Sequence, residues 1–166
     1  MEMDNSTITT SESDNTISPR DNKWLRERFI YIWKRYFSDC PIINKITIKF
    51  GRSTRTRLGS IKPGRKLGND HSIITINGYF QDPEIPDFVV DSVIAHEFMH
   101  YAHGFASPHE QAFAHPHKGG VVDWDLKERG LEDILKLEKR WLKENWRNYI
   151  LSHEIKKKKA FKIFWR

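Results

Sequence analysis

Two histidines four residues apart enclose a glutamate in the run His96-Glu97-Phe98-Met99-His100. Side chains at that spacing lie one turn apart on one face of an α-helix, so both imidazoles can aim at a single ion. Glu97 stands about 100° round the helix from His96, beside the ligand face, where its carboxylate meets a metal-bound water and not the metal. This set of groups does hydrolysis. Zinc brings the pKa of bound water towards 7, and a neighbouring carboxylate takes the proton as the hydroxide attacks a carbonyl. A buried glutamate without such a task would be costly.

A catalytic zinc takes three protein ligands and keeps one position open. The lone Cys40 excludes a cysteine-rich site, so His and carboxylate must supply the third ligand, and His103, His109, His115, His117, Glu110 and Asp123 are the candidates. His103 shares the face of the pair but lies about 10 Å along the axis from His96, too far for three ligands of one straight helix to converge. It suits a helix end, where the dipole favours a cation. The glycine-spaced third histidine of metzincins is absent, because His103 and Ala106 stand where that pattern needs glycine and histidine. Tyr101, His103, His115 and Arg57 are candidate oxyanion stabilisers. Ring packing for Tyr101 and a surface charge for Arg57 are the competing readings.

The elements that must carry these groups are legible from periodicity. Trp24, Leu25, Phe29, Ile32, Trp33, Tyr36 and Phe37 recur at three- and four-residue steps, predicting an amphipathic helix from Asp21 to Ser38-Asp39. Strands are predicted at Ile46–Phe50, Arg55–Ile61 and Ser72–Asn77, with a turn at Lys62-Pro63-Gly64-Arg65, giving a small, mostly antiparallel sheet. Phe88–Ala102 reads as a largely buried helix with proline in its first turn and Gly104 past its end. A loop from Phe105 to Gly120 follows, then helical spacing from Asp123 to Ser152, broken at Gly130. No internal repeat is present.

With these landmarks in order, the segment from Arg55 to Gly130 resembles the SprT-like family of zinc peptidases, which includes Spartan-type proteases of DNA-protein crosslinks. The resemblance is carried by Arg57-Leu58-Gly59-Ser60-Ile61, by Ile74-Thr75-Ile76-Asn77, by His96-Glu97-Phe98-Met99-His100 and by the downstream His117-Lys118-Gly119-Gly120. Leu58 and Ile61 depart from the Trp and Cys common in that strand motif, and Val121 and Val122 occupy the expected aromatic position. The resemblance implies an α+β, zincin-like single domain binding one zinc ion per chain. It implies His96, His100 and His117 as ligands, Glu97 as general base, and a protein or peptide substrate. His109 and His115 remain alternative ligands.

Over 166 residues, with 38% hydrophobic and 30% charged, the composition is that of one globular domain. The polar stretch at residues 1–20 reads as a disordered tail, 21–152 as the peptidase domain and 153–166 as a basic tail. No apolar run is long enough to span a bilayer and the N-terminus lacks a signal-peptide pattern, predicting a cytoplasmic protein with no membrane partner. The net charge of +6 is unevenly placed: eight basic and no acidic residues lie between Lys45 and Lys66. Arg52, Arg55, Lys62, Arg65 and Lys66 are therefore candidate contacts to single- or double-stranded DNA, against the simpler reading of a solvated face. Trp141, Trp146 and Tyr149 interleave with basic residues; core packing is the simpler reading for both tryptophans, base stacking the functional one. The expected function is a zinc metallopeptidase, acting on DNA-associated proteins if the basic stripe binds DNA. The alternatives are a nucleic-acid-binding module with a structural or silent metal, and a zinc hydrolase of non-peptide amides. Oligomeric state is left open by the sequence.

Overall fold

The computed structural model describes residues 18–64, 70–115 and 118–164. His117, Arg65 and Lys66 lie outside the described residues, as does the expected tail up to residue 17.

Helix α1, Asn22–Tyr36, begins where the Asp21 carboxylate accepts the Trp24 N–H at 2.8 Å, a side-chain N-cap, and it buries Leu25, Phe29 and Ile32. Strands β1 (Lys45–Phe50), β2 (Gly59–Pro63) and β3 (His71–Ile76) form one sheet in the order β1-β3-β2. β2 pairs antiparallel with β3, but β1 runs parallel to β3, so the expected mostly antiparallel sheet is mixed. The cause is the connection from β1 to β2. It passes round the end of β3, where Gly51 N–H donates to the Ile76 carbonyl and Asn77 N–H to the Leu58 carbonyl, each at 2.8 Å.

That detour also corrects the second strand. Arg55–Leu58 is a loop, and β2 starts only at Gly59. Buried Asn77 shapes the loop: its amide donates to the carbonyls of Thr54 and Arg57 at 2.7 Å, and its carbonyl accepts the Thr54 N–H at 3.2 Å. Lys62 and Pro63, expected in a turn, instead pair with Ile73 and Ser72. Proline is tolerated there because β2 is an edge strand whose outer side needs no donor.

Helix α2, Asp87–Ala102, follows Pro86 at its N-cap and is buried on nearly every side. It packs on α1, on β2 and β3, and on two later helices, α3 (Val121–Leu126) and α4 (Glu132–Trp141). Phe98 is its pivot, edge-on to Phe29 and Phe37 and stacked with Tyr101 at 5.1 Å. Arg28 of α1 is paired through two nitrogens with buried Asp91, fixing the two helices in register. Gly104, with φ of 82°, ends the helical path in a conformation glycine adopts freely.

Gly130, with φ of 85°, interrupts the later helices as expected, inside a π-type segment between α3 and α4. Helix α5, Arg147–Phe164, passes without a break through the boundary at residue 153, so the segment expected as a tail continues a helix. At the other end, Arg20 belongs to the domain and not to the tail. It is buried, donates to the carbonyls of Phe80, Asp82 and Ile85 at 2.7 to 3.1 Å, and pairs with Asp87. Trp146 packs against the core, stacked on Tyr149, with its indole N–H on the Arg55 carbonyl at 2.9 Å. Among the described residues no helix is long and apolar enough to cross a membrane.

Candidate metal centre

His96 and His100 occupy successive turns of α2, and their Nε2 atoms are 3.2 Å apart, with rings inclined at 81°. Two nitrogens each about 2.0–2.1 Å from a tetrahedral ion stand about 3.3 Å apart. The spacing of the pair therefore matches that of two ligands of one zinc ion. Among the described residues no third His, Cys, Asp or Glu joins them in a metal-binding group. The preferred third ligand, His117, lies outside the described residues.

The alternatives are placed elsewhere. His109 has Nε2 at 3.0 Å from the Pro41 carbonyl and 3.7 Å from Cys40 Sγ, and its ring meets the face of Tyr101, so it is not brought to the pair. His115 is exposed on its loop and joins no ligand group among the described residues. His103 sits at the C-terminal cap of α2 as expected, with Nε2 2.5 Å from Asp125, on the face of Phe113. Asp123 is held by Lys139 at 2.5 Å.

Glu97 is 7% exposed, and burial pushes its carboxyl up to about 7 against the opposing influence of Arg57. That value suits a group that accepts and returns a proton near neutral pH. The burial comes from β2. A β-carbon added at Gly59 would lie 2.7 Å from Glu97 Oε1 and 2.8 Å from its Cγ, so the backbone of the edge strand lies directly on the carboxylate. Two hollows of about 390 Å³ each meet at this contact. Both are lined by Arg57, Gly59 and Glu97; one reaches His96 and the other His100.

Arg57, a candidate oxyanion stabiliser, is exposed and lines both hollows at this junction. Tyr101 is not. Fully buried, its hydroxyl donates to Asn44 at 3.0 Å and accepts the Ile43 N–H at 3.1 Å, in line with the competing reading of ring packing. Arg52 and Lys62 line a neighbouring hollow with Arg57. Arg55 points elsewhere, paired through two nitrogens with Glu154 of α5 at 2.7 and 2.8 Å.

Two contributors were not singled out by sequence reasoning. Gly59 was visible only as a landmark of the strand, although a glycine inside a strand pattern marks a close backbone approach. Glu138, buried in α4 and lining the His96-side hollow, had no signal beyond its place in an amphipathic helix. No family model, no curated protein and no solved structure matches this chain. The site therefore stands on its own geometry.

Proposed function

We propose that the protein is a zinc-dependent metallopeptidase of zincin-like architecture, with His96 and His100 as ligands, His117 as the third, and Glu97 as general base. The observation that carries this reading is the 3.2 Å approach of the two Nε2 atoms one residue from a buried carboxyl that opens on a cleft. Bound zinc supplies Lewis acidity, polarising the scissile carbonyl and acidifying water towards neutral pH.

The chain's own groups do the rest. The Glu97 carboxylate takes one proton from the attacking water as its oxygen bonds to the carbonyl carbon, and returns that proton to the amide nitrogen as the C–N bond breaks. Arg57 meets the negative charge that develops on the carbonyl oxygen. Gly59 and the β2 backbone keep bulk water from the carboxyl. The decisive experiment measures zinc content and casein or peptide cleavage in the wild type and in Glu97→Gln. Zinc retained with cleavage lost supports the assignment; cleavage unaffected by Glu97→Gln sinks it.

A nucleic-acid role has one observation in its favour. Arg52, Arg57 and Lys62 converge on a hollow of about 420 Å³ beside the cleft. A polyanion held there would bring DNA-associated proteins to the site, and its binding would weaken steeply with salt. Fluorescence anisotropy of labelled single- and double-stranded DNA at 50 and 200 mM salt tests this. Affinity that is unchanged in Arg52→Ala/Lys62→Ala removes it.

A further inference from the structure

We propose that the hollow on the His96 side of Glu97 is a specificity pocket for a lysine or arginine side chain next to the scissile bond, and that Glu138 selects it; this rests on the peptidase reading.

Glu138 lines this hollow from α4 and is only 9% exposed, so what solvent access its carboxyl has is slight. Among the described residues it has no hydrogen-bond or ion-pair partner. Its neighbour Lys139 does not supply one, since that ammonium lies 2.5 Å from Asp123. A buried carboxyl with unfilled acceptors is costly to maintain, and a cation brought to it recovers much of that cost.

The walls fit the stem of such a cation. Leu58, Val93 and Leu135 line the hollow together with Glu138, His96 and Glu97. Lysine and arginine present an aliphatic chain ending in a charge, so the walls take the chain and Glu138 takes the head. A neutral side chain would leave Glu138 unpartnered, and an acidic one would meet repulsion from Glu138. Because His96 and Glu97 also line the hollow, the side chain it accepts belongs to a residue adjacent to the bond being cut. At about 390 Å³ the space lies at the small end for ligand pockets, in keeping with one long side chain.

The charge state of Glu138 adds a second readout. Burial pushes its carboxyl up to about 7, with Lys139 opposing and Asp123 adding to the rise. The other charged or titratable groups around the hollow are Arg57 on the loop before β2, and His96 and Glu97 on α2. An entering cation displaces the proton from Glu138, so its affinity rises with pH through the region near 7.

The test uses full-length, zinc-loaded Glu97→Gln protein and fluorescein-labelled octapeptides that differ only in one central residue: lysine, norleucine or glutamate. Anisotropy titrations are expected to give at least tenfold tighter binding of the lysine peptide than of its norleucine counterpart. Adding Glu138→Gln brings that ratio close to one and removes its rise with pH; adding Glu138→Lys turns the preference towards the glutamate peptide. A lysine-to-norleucine ratio near one, a ratio untouched by Glu138→Gln, or no peptide binding overturns the pocket. Circular dichroism of both variants shows whether the fold is retained, and the unmodified Glu97→Gln ratio decides the matter if it is not. Cleavage by the wild type without lysine selectivity rejects the pocket and leaves the peptidase reading intact. Lysine-selective binding without cleavage under any condition does the reverse.

Discussion

Gly59 and Glu97 are in contact across the interface of β2 and α2, so close that a β-carbon on Gly59 would stand 2.7 Å from the carboxylate oxygen and 2.9 Å from Val93 Cγ1. The edge strand thereby sets both the burial and the direction of the proposed base. Gly59→Ala must push Glu97 aside while leaving His96 and His100 in place. The expected outcome is a loss of kcat of at least about tenfold with zinc stoichiometry unchanged, checked by metal analysis beside peptide-cleavage kinetics. Wild-type turnover in Gly59→Ala would show that the contact has no bearing on the chemistry.

The ligand set makes a separate prediction. His96→Ala and His100→Ala each lose zinc at equimolar chelator, because either change breaks the two-nitrogen clamp. His117→Ala is expected to do the same, whereas His109→Ala and His115→Ala keep a full equivalent. Zinc content after dialysis decides among them, and full retention in His117→Ala would reject the third ligand.

A pH dependence of stability follows from Glu138. Its carboxyl rises from an ordinary 4.5 to about 7 on folding. The folded state thus holds the proton more tightly, and the contribution of Glu138 to stability is greatest below about pH 4.5 and is lost as pH rises through 7. The change amounts to about 3 kcal/mol as a ceiling, from the free energy of a pKa displacement. In metal-free protein, Glu138→Gln should be more stable than wild type at pH 8, with the difference shrinking towards pH 5. Urea unfolding at the two pH values measures it. Glu97 is present in both proteins and cancels from the comparison.

Arg20 gives a prediction away from the site. Its guanidinium satisfies three backbone carbonyls of the segment that leads into α2. Arg20→Ala leaves the buried carbonyls of Phe80 and Ile85 without this donor, for an expected loss of about 2–4 kcal/mol of stability. Thermal and urea denaturation check this, and removal of residues 1–19 with Arg20 kept should cost far less.

Local pattern carried much of the architecture. The apolar spacing of Leu25, Phe29 and Ile32 marks α1, and the dense apolar pattern through Val89, Val93 and Phe98 marks a largely buried helix. Both are properties of residues close in the chain, where the 3.6-residue period decides which side chains share a face. The α+β character and the three strands follow in the same way. Strand order and direction do not, because Ile46-Thr47-Ile48 reads alike whether its neighbour is parallel or antiparallel. The detour of Arg52–Leu58 round the end of β3 depends on Asn77, about twenty residues later, and such a bond has no local signature.

The candidate site divides along the same line. The pairing of His96 with His100 is legible in the chain, since helical geometry alone brings residues four apart to one face and sets Glu97 beside them. What surrounds that helix came from long-range packing. It packed Gly59 on Glu97, drew Tyr101 and His109 to other partners, and brought Glu138 from forty residues downstream into the same hollow. The physical reason is that a carboxyl's proton affinity and a side chain's partners are set by everything that excludes water around it. Those neighbours come from segments distant in sequence, and their meeting is fixed by the packing of the whole chain.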